Sequence, residues 1–414
     1  MAQVPLSRRN LLAASGAAFA WTQLPRLARA EGRDPRLMVV VLRGALDGLA
    51  AVAPVGDPGW AALRGDRGLR LDAKLPALPL DPLFALHPAL TNFHRLYGAG
   101  QALVAHAVAT PYRDRSHFDG QDILESGHAG PGASDTGWLN RALAGLASEG
   151  RVAANGARAL GMGAVPPLVI RGPAPVMAWV AERVPPTSPD TAARLLELYH
   201  HTDPALAGVL EASASLSNVT RDGGIDMGDD SELRRAAPGI AKFRAYLTEA
   251  MTAAGRYLAH RDGPRVAAIA VDGWDTHSNE GVAEGRLALI LGGLDGAIAA
   301  FEAALDDAWR ETAMVFITEF GRTAHINGSF GTDHGTGTVA LLAGGAIKGG
   351  RVLADWPGIK EAQLYDARDL KPTTDLRGLL KGVLRDHLRV EEAALASEVF
   401  PDSAAVKPID GLVG

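Results

Sequence analysis

Acidic and imidazole side chains gather in three turns of this chain, and such groups bind metal ions or move protons. Asp275 and His277 share one turn, Glu319 begins a second, and Asp333 with His334 lies in a third. Mixed oxygen and imidazole ligands suit zinc or manganese, and also calcium or magnesium if the histidines take no part. The chain has no cysteine, which excludes thiolate metal sites and cysteine nucleophiles. The turns therefore predict a site for a divalent metal ion.

Each candidate ligand also has a purely structural explanation. Asp47 before Gly48 is typical of a turn, and neighbouring acids and histidines often make only hydrogen bonds or helix caps. The third turn is the stronger signal, because glycines on both sides let the backbone approach a ligand closely. What favours a metal site is that seven residues share positions in turns after, or near, predicted strands: Asp47, Asp272, Asp275, His277, Glu319, Asp333 and His334.

A second candidate group surrounds Ser116, at the start of a predicted helix that continues through residue 124. Free backbone N–H groups and the helix dipole favour an anion there. Ser116 is therefore a possible nucleophile, with Arg115 or Arg113 binding an anionic substrate group. The alternative is that Ser116 is only an N-cap, completed by Asp119 as a capping box. Two histidines are possible ligands, although a lone histidine in an apolar strand is more often a core residue: His106 and His117.

The candidate residues are positioned by apolar runs of strand length. The runs are residues 37–42, 102–108, 266–271, 313–318 and 339–342, and their continuity is typical of strands buried on both faces. Residues 281–309 have helical apolar spacing, so strand, helix and strand follow one another. This pattern predicts one α/β domain over residues 31–414, with a doubly wound, mostly parallel sheet, helices on both faces and a helical insertion at about 187–262.

The first thirty residues predict a twin-arginine signal peptide. Arg8-Arg9 precedes a short apolar stretch, and Ala28-Arg29-Ala30 is typical of a cleavage site. The segment carries four arginines and no acid, so its removal makes the formal net charge of −6 more negative by four. An acidic chain without basic blocks argues against nucleic acid and anionic membranes as partners. We expect export by the twin-arginine translocase to the periplasm or the outside of the cell. We expect no later segment of transmembrane length.

Six motifs occur in an order that resembles one family. They are residues 42–48 (LRGALDG), 115–119 (RSHFD), 137–141 (GWLNR), 274–277 (WDTH), 318–322 (TEFGR) and 331–335 (GTDHG). With the leader, they resemble the DUF1501 family of exported bacterial proteins, from about residue 37 to the C-terminal helix. That family is similar to the alkaline phosphatase and sulfatase superfamily. The resemblance implies a doubly wound α/β core, bound metal ions, and cleavage of phosphate or sulfate esters through a Ser or Thr nucleophile.

The resemblance also implies roles for individual residues. Asp47 resembles the first metal-binding Asp of the superfamily, and Ser116 resembles its nucleophile by order and by its helix-start position. Asp275 and His277 resemble an Asp and His ligand pair, although the usual spacing is wider. His334 resembles the last histidine ligand.

One motif departs from the superfamily pattern. Glu319 and Phe320 stand where Asp and His are usual, so one imidazole ligand of a two-metal site is missing unless Asp333 replaces it. The resulting hypothesis is a periplasmic metal-dependent hydrolase of phosphate or sulfate esters. Its substrate would be a small anionic ester or an exported polymer. The alternative is a non-catalytic binding or assembly protein that keeps the hydrolase scaffold.

Overall fold

The computed structural model describes residues 33–148, 159–181 and 237–414, together with positions 196, 199, 200, 202–204 and 207. The predicted signal peptide and most of the predicted helical insertion lie outside these residues. The described strands are β1 (Arg36–Arg43), β2 (Val52–Ala53), β3 (Leu78–Pro79), β4 (Ala85–Leu86), β5 (Ala102–Ala109), β6 (Ala159–Met162), β7 (Val176–Trp179), β8 (Val266–Asp272), β9 (Thr312–Ile317), β10 (Thr338–Ala343), β11 (Arg351–Leu353) and β12 (Thr374–Asp375).

The described helices lie between these strands and after them. They are α1 (Gly48–Ala51), α2 (Trp60–Arg64), α3 (Thr91–Gly98), α4 (His117–Ser126), α5 (Trp138–Ser148), α6 (Pro238–Ala259), α7 (Arg286–Leu305), α8 (Leu376–Leu388) and α9 (Glu392–Ala394). Short 3₁₀ segments cover Gly65–Arg67, Leu168–Ile170, Asp306–Glu311 and Glu361–Gln363, and a π-helical turn covers Leu395–Val399.

Nine of the described strands form one sheet in the order β11-β5-β10-β9-β1-β8-β6-β7, with β12 also paired to β5. The pairs from β9 across to β7 are parallel, and β10 runs antiparallel to both β9 and β5. Strand β1 lies at the centre, where Val39 is in register with Ala268 on one side and Val315 on the other. Strands β2, β4 and β3 form a separate small antiparallel sheet.

The two faces of β1 enter two different hydrophobic clusters. Met38, Val40 and Leu42 pack into a cluster that contains side chains of α3, α6 and α7, whereas Leu37, Val39 and Val41 pack with side chains of α5 and α8. Every one of these residues is at most 1% exposed, which explains why the strand is a continuous apolar run. The predicted doubly wound α/β fold with helices on both faces is confirmed.

Helix α7 corrects one expectation about the sequence. Among the described residues, Arg286–Glu311 is long and apolar enough to cross a membrane by length and composition, so a later segment does reach transmembrane length. Half of its most apolar stretch is buried inside the protein, and Leu291, Leu294 and Phe301 belong to the core cluster beneath the sheet. These contacts are those of a core helix that connects β8 to β9.

The parallel strands bring the candidate residues to one edge of the sheet. Strands β8, β1 and β9 are neighbours and run in the same direction, and Arg43 at the end of β1 is in register with Asp272 at the end of β8. The turns that follow these strands therefore start side by side, at the edge where ligands bind in open α/β sheets.

Candidate metal centre

Three histidine rings converge beyond this edge. Nε2 of His334 lies 2.9 Å from Nε2 of His117 and 2.9 Å from Nε2 of His277. His117 is the first residue of α4, whereas His277 and His334 come from the loops after β8 and after β9. Residues more than 200 positions apart therefore meet at one point.

A carboxylate oxygen completes the group. Oδ1 of Asp275 lies 3.1 Å from Nε2 of His277, 3.4 Å from that of His334 and 3.6 Å from that of His117. The ligand atoms of His117, Asp275 and His334 all lie within 4.8 Å of one another, as a metal site requires. Oδ1 also accepts a hydrogen bond of 2.5 Å from Nη1 of Arg322, a buried residue.

Each of the three rings has an oxygen atom as hydrogen-bond partner at its Nδ1 atom. Nδ1 of His117 lies 2.8 Å from Oε1 of Glu319, and Nδ1 of His277 lies 3.3 Å from Oδ1 of Asp333. Nδ1 of His334 lies 3.0 Å from the main-chain oxygen of Arg115. All three partners are acceptors, so each Nδ1 carries the proton of a neutral imidazole and each Nε2 presents a lone pair.

This arrangement fits a metal ion. Lone pairs at 2.9 Å repel one another unless a cation or a shared proton lies among them. Metal-binding histidines usually donate Nδ1–H to a carboxylate or a carbonyl, as all three do in this site. Bond lengths of about 2.0–2.2 Å to zinc correspond to a tetrahedral edge of roughly 3.4 Å, and the five distances of 2.9–3.6 Å given above bracket that value.

Two glycines allow the third turn to approach the other ligands. A Cβ atom on Gly331 would lie 2.4 Å from the main-chain carbon of His277, and one on Gly335 would lie 2.4 Å from that of Arg322. Any side chain at either position would collide with the backbone that carries the centre. The expectation that these glycines permit close approach agrees with the geometry.

Charges around the centre shift the pKa of its groups in opposite directions. The hydrogen bond from His117 to Glu319 raises the pKa of His117. Burial lowers the pKa of His334, and the neighbouring His117 lowers it further. Burial alone would raise the pKa of Asp275, but the hydrogen bond and charge of Arg322 outweigh burial and the net pKa is lowered. Asp275 therefore stays ionised beside the imidazoles.

Three predicted ligands have other partners. Glu319 and Asp333 lie behind His117 and His277 and orient them instead of joining the ligand atoms. Asp47 caps α1 by accepting the N–H groups of Leu49 and Ala50. Both of its oxygens are also bonded to Arg64, at 3.0 and 3.3 Å, so its carboxylate already has a cation as partner.

Asp272 is also not part of the group. It ends β8 and is exposed.

Arg115 and Ser116, the predicted catalytic residues, both have partners within the protein. The guanidinium of Arg115 is bonded to Asp369, at 2.7 Å, and to Asp366, at 3.1 Å. Ser116 caps α4, where its Oγ accepts the N–H of Asp119 at 3.5 Å. Tyr112 takes the reciprocal place of a capping box, because its hydroxyl accepts the N–H of Ser116. No hydrogen bond joins Ser116 Oγ to the four ligand side chains, all of which are described.

The remaining histidine and arginine candidates, His106 and Arg113, both hydrogen-bond main-chain oxygens. His106 is fully buried, with Nε2 2.9 Å from the main-chain oxygen of Val52, and burial lowers its pKa to about 4. It is a core residue. Arg113 hydrogen-bonds the main-chain oxygens of Thr110 and Tyr112. His117, a possible ligand by sequence, is part of the histidine group. Arg322 binds Asp275, and its only sequence signal is that it stands in the same motif as Glu319.

Phe320 fills the space beside the ligands. Its ring centroid lies 4.9 Å from that of His117 and 5.4 Å from that of His334. The side chain is buried in a small cluster with Ala45, Tyr112 and Ile123. An apolar ring therefore packs where the superfamily pattern would place another imidazole.

One side of the centre faces solvent. The side chains of Asp275 and His277 are 41% and 44% exposed, and that of Asp333 is 50% exposed. Glu319 on the opposite side is fully buried. A buried wall and an open mouth would let a ligand in solution approach the metal-binding atoms directly.

The chain belongs to the family described as a protein of unknown function, DUF1501, which matches residues 98–400. The resemblance drawn from the motifs is thereby confirmed. No curated protein matches the chain in sequence.

Solved structures with a similar fold include three bacterial proteins. The phosphonate monoester hydrolase of Agrobacterium radiobacter is 13% identical with a TM-score of 0.35, over 86% of this chain and 74% of that one. The C-terminal periplasmic domain of EcEptC from Escherichia coli, in complex with Zn, is 9% identical with a TM-score of 0.36, over 76% and 74%. The alkaline phosphatase of the Antarctic bacterium TAB5 is 11% identical with a TM-score of 0.31, over 76% and 92%. At these values, function has to be inferred from the site itself.

Proposed function

We propose that this protein is a metal-dependent hydrolase of phosphate or sulfate esters that acts outside the cytoplasm after twin-arginine export. The single observation that carries the proposal is that the Nε2 atoms of three histidines lie 3.1–3.6 Å from one carboxylate oxygen, Oδ1 of Asp275. His117, His277, His334 and Asp275 would hold the ion. Four protein ligands are the number of a structural site, but one side of this group is open to solvent, where an ester oxygen or water would be able to enter as a fifth ligand.

The donor set narrows the choice of metal. Calcium and magnesium prefer oxygen ligands, whereas imidazole suits zinc and other transition metals. Three imidazoles and one carboxylate therefore favour zinc, with manganese or iron as alternatives. A bound ion of this kind supplies Lewis acidity, which polarises an anionic ester oxygen and makes water more acidic.

The surrounding residues fix the donors before any substrate arrives. Glu319 and Asp333 keep the protons of His117 and His277 on Nδ1, so that the Nε2 atoms stay free. Arg322 restrains Asp275 in its ionised form. Such preorganisation removes the need to reorient ligands during the reaction.

The nucleophile that this geometry favours is a water molecule. Ser116 is occupied as the cap of α4 and has no hydrogen bond to the ligand side chains. The open mouth beside Asp275 and His277 gives water access. Attack by water needs no covalent intermediate on the protein.

The proposal is tested by metal content and activity together. Mature protein purified without chelators should contain about one zinc per chain, and should hydrolyse at least one ester in a panel of aryl phosphates, phosphodiesters and sulfates. His277→Asn should lose both properties. His94→Asn is the matched control, because His94 binds the main-chain oxygen of Pro79 on the surface. A protein that takes up no metal from zinc, manganese or iron solutions would exclude the proposal.

The second candidate is a metal-containing binding or assembly protein. The observation in its favour is that the arginines next to the ligands already have partners: Arg115 is paired with Asp369 and Asp366, and Arg322 with Asp275. Neither is free to offset charge in a transition state. Stoichiometric metal in the wild type, without turnover of any ester, would favour this candidate.

A further inference from the structure

A second cluster of charged residues lies deeper in the protein, away from the solvent-facing mouth. It consists of Asp47, Arg64 and Glu280, which are 1%, 5% and 1% exposed. Arg64 binds both oxygens of Asp47 and also donates to the main-chain oxygen of Ala324 at 2.6 Å. With all three groups ionised, the cluster would carry one uncompensated negative charge away from water, which is costly.

One oxygen of Glu280 lacks a partner in this cluster. Its Oε2 accepts the hydroxyl of Thr332 at 3.0 Å, whereas its Oε1 is buried with no hydrogen bond to any residue that the structure describes. The carboxyl of Asp47 lies within hydrogen-bonding range of Glu280. Two carboxylates repel each other, but a carboxylic acid donates to a carboxylate. A proton on Oε1, donated to Asp47, would satisfy the orphaned atom and neutralise the cluster.

The electrostatic surroundings agree with a protonated Glu280. Its pKa is raised to about 8: burial raises it most and the charge of Asp47 also raises it, while Arg64 and the hydroxyl of Thr332 oppose the rise. Asp47 precedes α1, Arg64 ends α2 and Thr332 lies in the loop after β9, and these are the groups that face the carboxyl.

Only two residues separate Glu280 from the metal centre. The Oγ1 of Thr332 donates to Glu280 and accepts from Nε of Arg322 at 3.1 Å. Arg322 also donates to the main-chain oxygen of Thr332 and to Oδ1 of Asp275, both at 2.5 Å. A continuous chain of hydrogen bonds therefore runs from the acid pair to one of the metal-binding atoms.

We propose that Glu280 is a positioning residue that shares one proton with Asp47 and, through Thr332 and Arg322, fixes the carboxylate of Asp275 for metal binding. This inference rests on the proposed metal centre. It assigns Asp47 a role in the acid pair, with Glu280, Thr332 and Arg322 between Asp47 and the ligand Asp275. The hydroxyl of Thr332 is orientated by Glu280, and that orientation keeps the guanidinium of Arg322 against Asp275.

The first measurement is metal affinity by competition with a chromophoric chelator at neutral pH. Glu280→Gln keeps a donor towards Asp47 and an acceptor for Thr332, so its zinc affinity should stay within about threefold of the wild type. Glu280→Ala removes both and should weaken zinc binding about tenfold, the lower end for residues that support metal ligands. Thr332→Val breaks the same series of hydrogen bonds at the next residue and should weaken zinc binding by a similar factor. It therefore tests the positioning role if Glu280→Ala does not fold.

The second measurement is stability against pH. When the pKa of a group is higher in the folded than in the unfolded protein, the folded protein keeps a proton that the unfolded chain releases at pH values between the two. The free energy of unfolding therefore falls as pH rises through that range. From pH 5.5 to 8 the wild type should therefore lose stability relative to Glu280→Gln, with up to a tenfold change in the unfolding constant per pH unit. Asp295→Asn is the matched control, since it alters a buried carboxylate that only caps α3.

The outcomes separate this inference from the proposed function. Wild-type protein that binds no metal would remove the proposed function, while the stability profile would still decide whether the acid pair shares a proton. Metal binding that is unchanged in both Glu280→Ala and Thr332→Val would overturn the positioning role. A Glu280→Gln profile parallel to that of the wild type would overturn the shared proton.

Discussion

Replacing Glu319 by Gln should weaken metal binding without weakening the fold. Oε1 of Glu319 accepts from the N–H of Gly44 at 2.8 Å, from Nδ1 of His117 at 2.8 Å and from Nε2 of Gln121 at 3.0 Å. A glutamine oxygen can accept all three. The substitution therefore removes a negative charge from behind His117 and leaves its hydrogen bond in place.

The contacts of Oε2, the other oxygen of Glu319, explain why the free energy of unfolding of Glu319→Gln should change little. The hydroxyl of Thr318 lies 3.0 Å from Oε2 and 2.6 Å from the main-chain oxygen of Leu42, yet it has one proton to donate. A glutamine NH₂ in place of Oε2 can donate to that hydroxyl, which then donates to Leu42. We expect the free energy of unfolding of the metal-free variant to stay within about 1 kcal/mol of the wild type, the worth of one hydrogen bond.

The loss of charge should appear in metal affinity. Residues that support metal-binding histidines typically contribute 10- to 100-fold, which is about 1.4–2.8 kcal/mol. Zinc affinity measured by chelator competition at pH 7.5 should fall within this range, with denaturant unfolding of the metal-free protein as the control for folding. Glu319→Ala should instead lose stability as well, because three donors are left without an acceptor, at about 1–3 kcal/mol each. Unchanged zinc affinity in Glu319→Gln would refute the reasoning, and a loss beyond about 10⁴-fold would identify Glu319 as a ligand.

Three further predictions concern other parts of the centre. Arg115 adopts a φ of +61° and presents its main-chain oxygen to His334, so Arg115→Gly, which adopts that conformation freely, should bind zinc more tightly than Arg115→Ala, with a difference of about fivefold from roughly 1 kcal/mol of strain; equal zinc affinity with equal loss of ester hydrolysis would indicate a substrate-binding guanidinium instead. Ser116→Ala should cost about 1 kcal/mol of unfolding free energy, the worth of an N-cap, and should leave zinc content and turnover unchanged; a loss of turnover alone would restore Ser116 as the nucleophile. Acid should release the metal, because the raised pKa of His117 lets a proton compete for the ring. In metal-free protein, the same raised pKa contributes stability below the unfolded pKa of about 6.5 that is lost as pH rises through the folded value, so thermal unfolding with and without chelator should show opposite pH trends.

The elements that the sequence predicted are those with long uninterrupted patterns. Strands β1, β5, β8, β9 and β10 each have at least six residues and are nearly fully buried. Strands β6, β7 and β11 have only three or four residues, and those of the small sheet have two. Segments of that length carry no measurable periodicity, so their pairing is decided by the surrounding sheet.

The candidate site was predictable by residue type and less so by role. Asp275, His277 and His334 meet because they follow or flank strand ends. Glu319 and Asp333 have the chemistry of ligands, and in the structure their oxygens lie against Nδ1 of His117 and His277. Whether an acid binds a metal or the ring that binds it depends on a few ångströms of loop geometry, which local sequence does not encode. His117 meets His334 across 217 positions of the chain, and nothing near Ser116 specifies that contact.

The same contacts give a physical reason to expect one metal ion in place of two. A second ion beside the first would need donors that have no other partner. Phe320 offers none, and its ring packs against His117 and His334. The Oε1 atom of Glu319 accepts three hydrogen bonds within the protein. Asp47 is bonded to the guanidinium of Arg64, a fixed positive charge that would repel a nearby cation. Phe320 supplies no donor, and the carboxylates of Glu319 and Asp47 already have partners, so all three features act against a second ion.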